Sequence, residues 1–129
     1  MEPDEDKQIA PPDRHAGAAV WVEVASLSEA LAEAARLIAA LAPDVAVRTC
    51  RAERYWKIEE WFKIDLDFEA ADAGGAFAAA LAKLAPRWGR VACDEGDLHA
   101  SWHHLEDGGF ILPSARCAIL QAYWPVEPD

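Results

Sequence analysis

From Ala18 onward the chain alternates: Val20, Val22 and Val24 fall on one side, Trp21 and Glu23 on the other. That two-residue period is the mark of a strand with one face buried. Ser26 with Glu29 three positions later has the form of a capping box, and Leu27, Leu31, Ala34, Ile38 and Leu41 then recur at spacings of three and four until Pro43. This spacing predicts a helix over 27–42, with Glu29, Glu33 and Arg36 on its outer side as on a surface helix lying against a sheet. Val45, Val47 and Thr49 begin a second alternating run. After the polar stretch RAERYWKIEE comes a third, in which Phe62, Ile64, Leu66 and Phe68 alternate with Trp61, Lys63, Asp65, Asp67 and Glu69. The two runs predict a long hairpin whose turn no Asn-Gly or Asp-Gly dipeptide marks. Asp72 caps a second expected helix, which runs to about Leu84 with Phe77, Leu81 and Leu84 as its heavy stripe and stops before Pro86. Its other side, Gly75, Ala78, Ala79 and Ala82, is small and apolar, a surface suited to close approach by another element or by a second copy in a homodimer.

The remainder reads as a meander: Trp88 to Cys93, a turn at Asp94-Glu95-Gly96-Asp97, Leu98 to His104, a turn at Glu106-Asp107-Gly108-Gly109, Phe110 to Leu112, and Arg116 to Trp124. The predicted fold is α+β, with two helices on one face of a mostly antiparallel sheet of five to six strands. Its expected order is the ferredoxin-like β-α-β-β-α-β with added C-terminal strands. Residues 1–17, with Pro3, Pro11, Pro12 and Gly17 among charges and only Ile9 as a sizeable aliphatic, lack any periodicity and are expected to form a flexible acidic arm. Residues 18–129 then make one domain.

Charge narrows the classes of partner. Twelve Lys and Arg against 23 Asp and Glu give a formal net charge of −11, with the excess concentrated toward the two ends of the chain. Long-range repulsion disfavours nucleic acid and anionic membranes and favours a basic protein partner. No apolar run reaches the roughly 18 residues that a membrane span needs, and the N-terminal stretch is acidic where a secretory signal is basic and then greasy, so a cytoplasmic location is expected. Cys50, Cys93 and Cys117, odd in number and without a CxxC pair, fit reduced thiols.

Candidate chemistry is sparse. His99, Ser101 and His103 share one strand face, with Asp97 before them and Cys93 and His104 nearby, a nitrogen, oxygen and sulfur donor set for a metal-binding or enzymatic site. Their spacing matches no zinc motif, and a solvated edge explains them as well. Cys50, Cys93, Cys117 and Ser101 are the nucleophile candidates, and small buried hydrophobes are the commoner fate of free cysteines. No phosphate-cradling glycine loop and no deaminase signature occurs, so no cofactor is expected. Arg48, Arg51, Arg54 and Lys57 recur every third residue; on a strand they alternate faces, which favours cross-strand pairing with Asp65, Asp67 and Glu69 over RNA binding. Trp61 stands beside Asp65, Asp67 and Glu69, Trp21 shares the outward side of its strand, and the turns add Asp94, Glu95 and Asp97. Aromatic anchors ringed by carboxylates compose a binding patch for a basic protein surface. If the helices cover that face instead, both tryptophans are core.

The stretch SWHHLEDGGFILPSARCAILQAYWP, preceded by the second helix and Arg87-Trp88-Gly89, resembles small bacterial toxin-immunity proteins: a Trp on one strand, a Gly turn, a Phe before a Pro, then an aromatic-ended strand. The resemblance covers about residues 76–124, and this chain departs from it in a strand before the first helix and in its acidic arm. It implies a non-catalytic cytosolic protein that occludes the active cleft of a cognate toxin, commonly an enzyme with a basic substrate groove.

Overall fold

A computed structural model of the chain describes residues 14–126. Eight elements follow one another: β1 (His15–Glu23), α1 (Leu27–Leu41), β2 (Val47–Arg54), β3 (Trp61–Phe68), α2 (Ala73–Leu84), β4 (Arg90–Asp94), β5 (Asp97–His103) and β6 (Ala115–Tyr123). The strands form one six-stranded sheet in the order β2-β3-β1-β6-β5-β4, and every neighbouring pair is antiparallel. The fold is therefore α+β, two helices on an antiparallel sheet. The outer strands are not the C-terminal ones, however. β4 and β5 make the hairpin at one edge, and the last strand in the chain returns to the middle beside β1.

Local chemistry sets the helix starts as expected. Ser26 Oγ accepts from the Glu29 N–H at 3.2 Å while Glu29 Oε1 accepts from the Ala25 N–H at 3.1 Å, so two N-terminal donors are satisfied reciprocally. Asp72 Oδ1 accepts from the Gly75 N–H at 3.0 Å and starts α2. The buried stripe of α1 is rotated from the expected one: Ala30, Ala34, Leu37 and Leu41 face the sheet, while Leu27 and Leu31 are half exposed. Glu33, expected in solvent, is buried at 6% exposure, where it accepts from Ser114 Oγ and pairs with Arg36. A buried carboxylate is tolerated because both of its oxygens are engaged.

The core lies between the helices and one face of the sheet. β1 contributes Val20 and Val22, β3 Phe62, Ile64, Leu66 and Phe68, and β6 Leu120. Several strand boundaries differ from expectation. β1 starts at His15 rather than Ala18, because His15 pairs with Tyr123 at the end of β6 and stacks on its ring at 5.2 Å. Of the expected arm, residues 1–13 lie outside the described residues. β2 extends through Arg54, β4 begins only at Arg90, and Phe110 to Leu112 is a loop in which Phe110 packs on Trp102 at 4.7 Å.

Candidate functional site

The face of the sheet opposite the helices carries no further helix or strand layer among the described residues, though the β2–β3 loop folds over one part of it. Cross-strand register lines its residues into rows: Thr49, Asp67, Gly17, Gln121 and His99 in one; Arg51, Asp65, Ala19, Ile119 and Ser101 in the next; Glu53, Lys63, Trp21, Cys117 and His103 in a third. The middle of β1 supplies only Gly17 and Ala19 here, which leaves a trough of about 790 Å³ between Asp65 and Asp67 on one side and Ile119, Gln121 and Tyr123 on the other. Gly17 is required, since a Cβ there would meet the Leu66 carbonyl oxygen at 2.6 Å.

A second depression of about 680 Å³ opens beyond Trp21, between the β2–β3 loop (Tyr55, Lys57, Ile58) and the residues after β5 (Glu106, Asp107). Trp21 and Ile119 line both. Tyr55 meets the Trp21 ring edge-on at 5.8 Å and stacks on Trp61 at 6.5 Å, and the Lys63 ammonium lies 5.4 Å from the Trp21 ring centroid. Trp21 is 9% exposed, and its Nε1 has no acceptor among the described residues. The loops on either side carry the two most exposed large apolar side chains among the described residues, Trp56 at 82% and Leu105 at 78%.

The expected partner-binding residues divide into three groups. Trp21, Trp61, Asp65 and Asp67 come together on the open face, and Asp97 and Asp94 continue the row that holds His15 and Tyr123. Glu69 lies past the end of β3 and pairs with Arg48 at 3.6 Å; Glu95 sits in the β4–β5 turn. The face is not a bare field of carboxylates. Asp65 faces Lys63 Nζ at 3.5 Å, and Asp67 faces His15 Nδ1 at 3.2 Å. Asp94, Glu95 and Asp97 enter no ion pair among the described residues. Seven of the 23 carboxylates, five before Arg14 and two after Val126, lie outside the described residues. Sequence reasoning missed His15, Tyr55, Ile58 and Tyr123. The first was assigned to the arm, and a loop that folds back over a sheet leaves no periodic signal.

The chemical constellations do not assemble. His99 and His103, four residues apart on one strand, are separated by roughly 13 Å. The His103 ring nitrogen Nδ1 accepts from the Leu105 N–H at 3.2 Å, and His104 Nδ1 bonds the Arg116 carbonyl at 3.0 Å. Both rings thus shape the turn after β5. Among the described residues no group of three or more His, Cys, Asp and Glu side chains is placed to hold a metal ion. The His15–Asp67 pair is the orienting half of a general base, yet Ser101, in the row of Ala19, is about four strand residues from it, and Cys117, opposite Trp21, about six. Cys50 and Cys93 are exposed and Cys117 half-buried, not sealed in the core as expected. Partial burial raises the Cys117 thiol above its ordinary value; burial first and the Asp65 carboxylate second raise Cys50, which disfavours both as nucleophiles.

No family model, curated protein or solved structure matched this chain when compared with it. No helix among the described residues is long and apolar enough to cross a membrane.

Proposed function

We propose that this chain is a non-catalytic binding protein of the immunity type, which neutralises a cognate bacterial toxin in the cytoplasm by laying its open sheet face over the toxin's basic groove. The observation that carries this reading is the open face of the sheet, where Trp21, beneath the β2–β3 loop, meets Tyr55 and borders the trough that Asp65 and Asp67 line, and Tyr55 stacks on Trp61. An aromatic centre with a charged surround is the anatomy of a protein interface, and an acidic binder gains attraction and on-rate from a cationic groove. Trp56 and Leu105 would anchor the contact from the two flanking loops. We also read β6-β1-β3-β2 with its two crossover helices as a ferredoxin-like frame, to which the β4–β5 hairpin adds width.

The test is to read the neighbouring reading frames for a larger gene that ends in a small enzymatic domain and to co-express that domain with this chain, scored by growth, followed by calorimetry on the purified pair. The wild-type chain is expected to restore growth. Asp65→Lys with Asp67→Lys should weaken binding by about 3 kcal/mol, and Trp56→Ala by more than about 1 kcal/mol, without loss of folding. Growth that the wild-type chain does not restore, or affinity that all three changes leave intact, overturns the reading.

A further inference from the structure

We infer that β4 is the contact strand of a symmetric dimer, in which two copies join their sheets edge to edge by antiparallel pairing centred on Ala92. Among the described residues the sheet has two free edges, β2 and β4. They are built differently. β2 is charged on both of its faces, with Arg51 and Glu53 opposite Asp65 and Lys63 on the open side and Arg54 opposite Phe62 on the helix side. Charge on both faces of an edge discourages a further strand.

β4 reads Arg-Val-Ala-Cys-Asp, with charge only at its two ends and both charged residues on the open face, opposite Ser101 and Asp97. Val91 and Cys93 stand on the helix side, opposite Ala100 and Leu98, and both are exposed, Val91 at 46%. The helices pack against all the other strands but make no comparable contact with this one.

An antiparallel copy centred on Ala92 sets position 90 against position 94 and position 91 against position 93. Arg90 then meets Asp94 of the other copy twice on one face, and Val91 meets Cys93 twice on the other. Among the described residues neither Arg90 nor Asp94 has an ion-pair partner within its own chain. The segment is its own complement in charge and in polarity, which a two-fold contact requires. Moving the centre to Val91 or Cys93 leaves an end charge facing Ala92, so the register is specified. The unpaired edge amides and carbonyls gain partners in the same step. The two-fold axis stands perpendicular to the sheet, so both open faces lie on one side of a doubled sheet and remain accessible. The inference is independent of any partner bound there.

Sedimentation equilibrium over a wide concentration range tests it. The wild-type chain is expected to pass reversibly from monomer to dimer. Arg90→Asp alone, or Asp94→Arg alone, turns two attractive pairs repulsive and should raise the dissociation constant by about tenfold. The double variant R90D/D94R restores the complement and should return the wild-type constant. Both positions are exposed, so a matching thermal midpoint shows that the fold is intact. A monomer at every concentration, single variants without effect, or a double variant that fails to rescue overturns the inference. So does a dimer indifferent to β4 and abolished by Ala78→Glu, which would place the contact on α2.

Discussion

The two faces of this sheet are made by alternate residues of the same strands and are held by different physics. On β3, Phe62, Ile64, Leu66 and Phe68 are at most 3% exposed beneath the helices, while Trp61, Lys63, Asp65 and Asp67, one position away, are half-buried. The helix side is closed by apolar area removed from water. The open side is closed only in pairs, ammonium on carboxylate, imidazole on carboxylate and ring on ring. Stability therefore concentrates on one face, and the other is free to be composed for contact.

The sharpest test of that division is Ile64→Ala, which empties a fully buried position and should cost about 2–5 kcal/mol in denaturant unfolding. A cost below 1 kcal/mol would mean that the helix side does not carry the fold. Gly17→Ala probes the exception on the open side. The added methyl meets the backbone oxygen of Leu66, and a loss of about 1–3 kcal/mol is expected, nearly that of a core change. If the variant unfolds with wild-type stability, the floor of the trough is not set by close strand approach. The smallest effect belongs to the thiols. Cys50 and Cys117 are raised above 9.0 in the folded chain, so it holds their protons more tightly than the unfolded chain does. The stability this gives is complete below about pH 9 and is lost as pH rises through the folded values. The double variant Cys50→Ser/Cys117→Ser should lose less stability than the wild-type chain between neutral pH and pH 10; equal losses would dismiss the coupling.

Elements with one wet and one dry face were legible in the sequence. The alternation in Trp61–Phe68 named the buried residues of β3 correctly, and Ser26 with Glu29 in one case and Asp72 in the other marked both helix starts. What failed had a common cause. β6 is a central strand with apolar or small residues on both sides, so its composition does not say which side the helices take, whereas in β1 the alternation of Val20 and Val22 with Trp21 did. β2 is an edge strand exposed on both sides, so its polar run hid where the strand ends and where the loop that folds over Trp21 begins. Phe110 reads as strand because it is apolar, but its burial comes from packing on Trp102 and Trp88 out of a loop. The site was half legible: Trp21, Trp61, Asp65 and Asp67 do share a face. Their neighbours His15, Tyr123 and Ile119 join them only through the strand order, which local pattern does not encode.

The placement of β6 beside β1 has a consequence for how the molecule is made. One hydrogen-bonding side of the central strand waits for β6, so no nascent chain that stops short of Ala115 can complete the middle of the sheet. Until then β1 presents an unfinished edge, and closure depends on contacts that join His15 to Tyr123 across the intervening elements, a long-range pairing that slows folding.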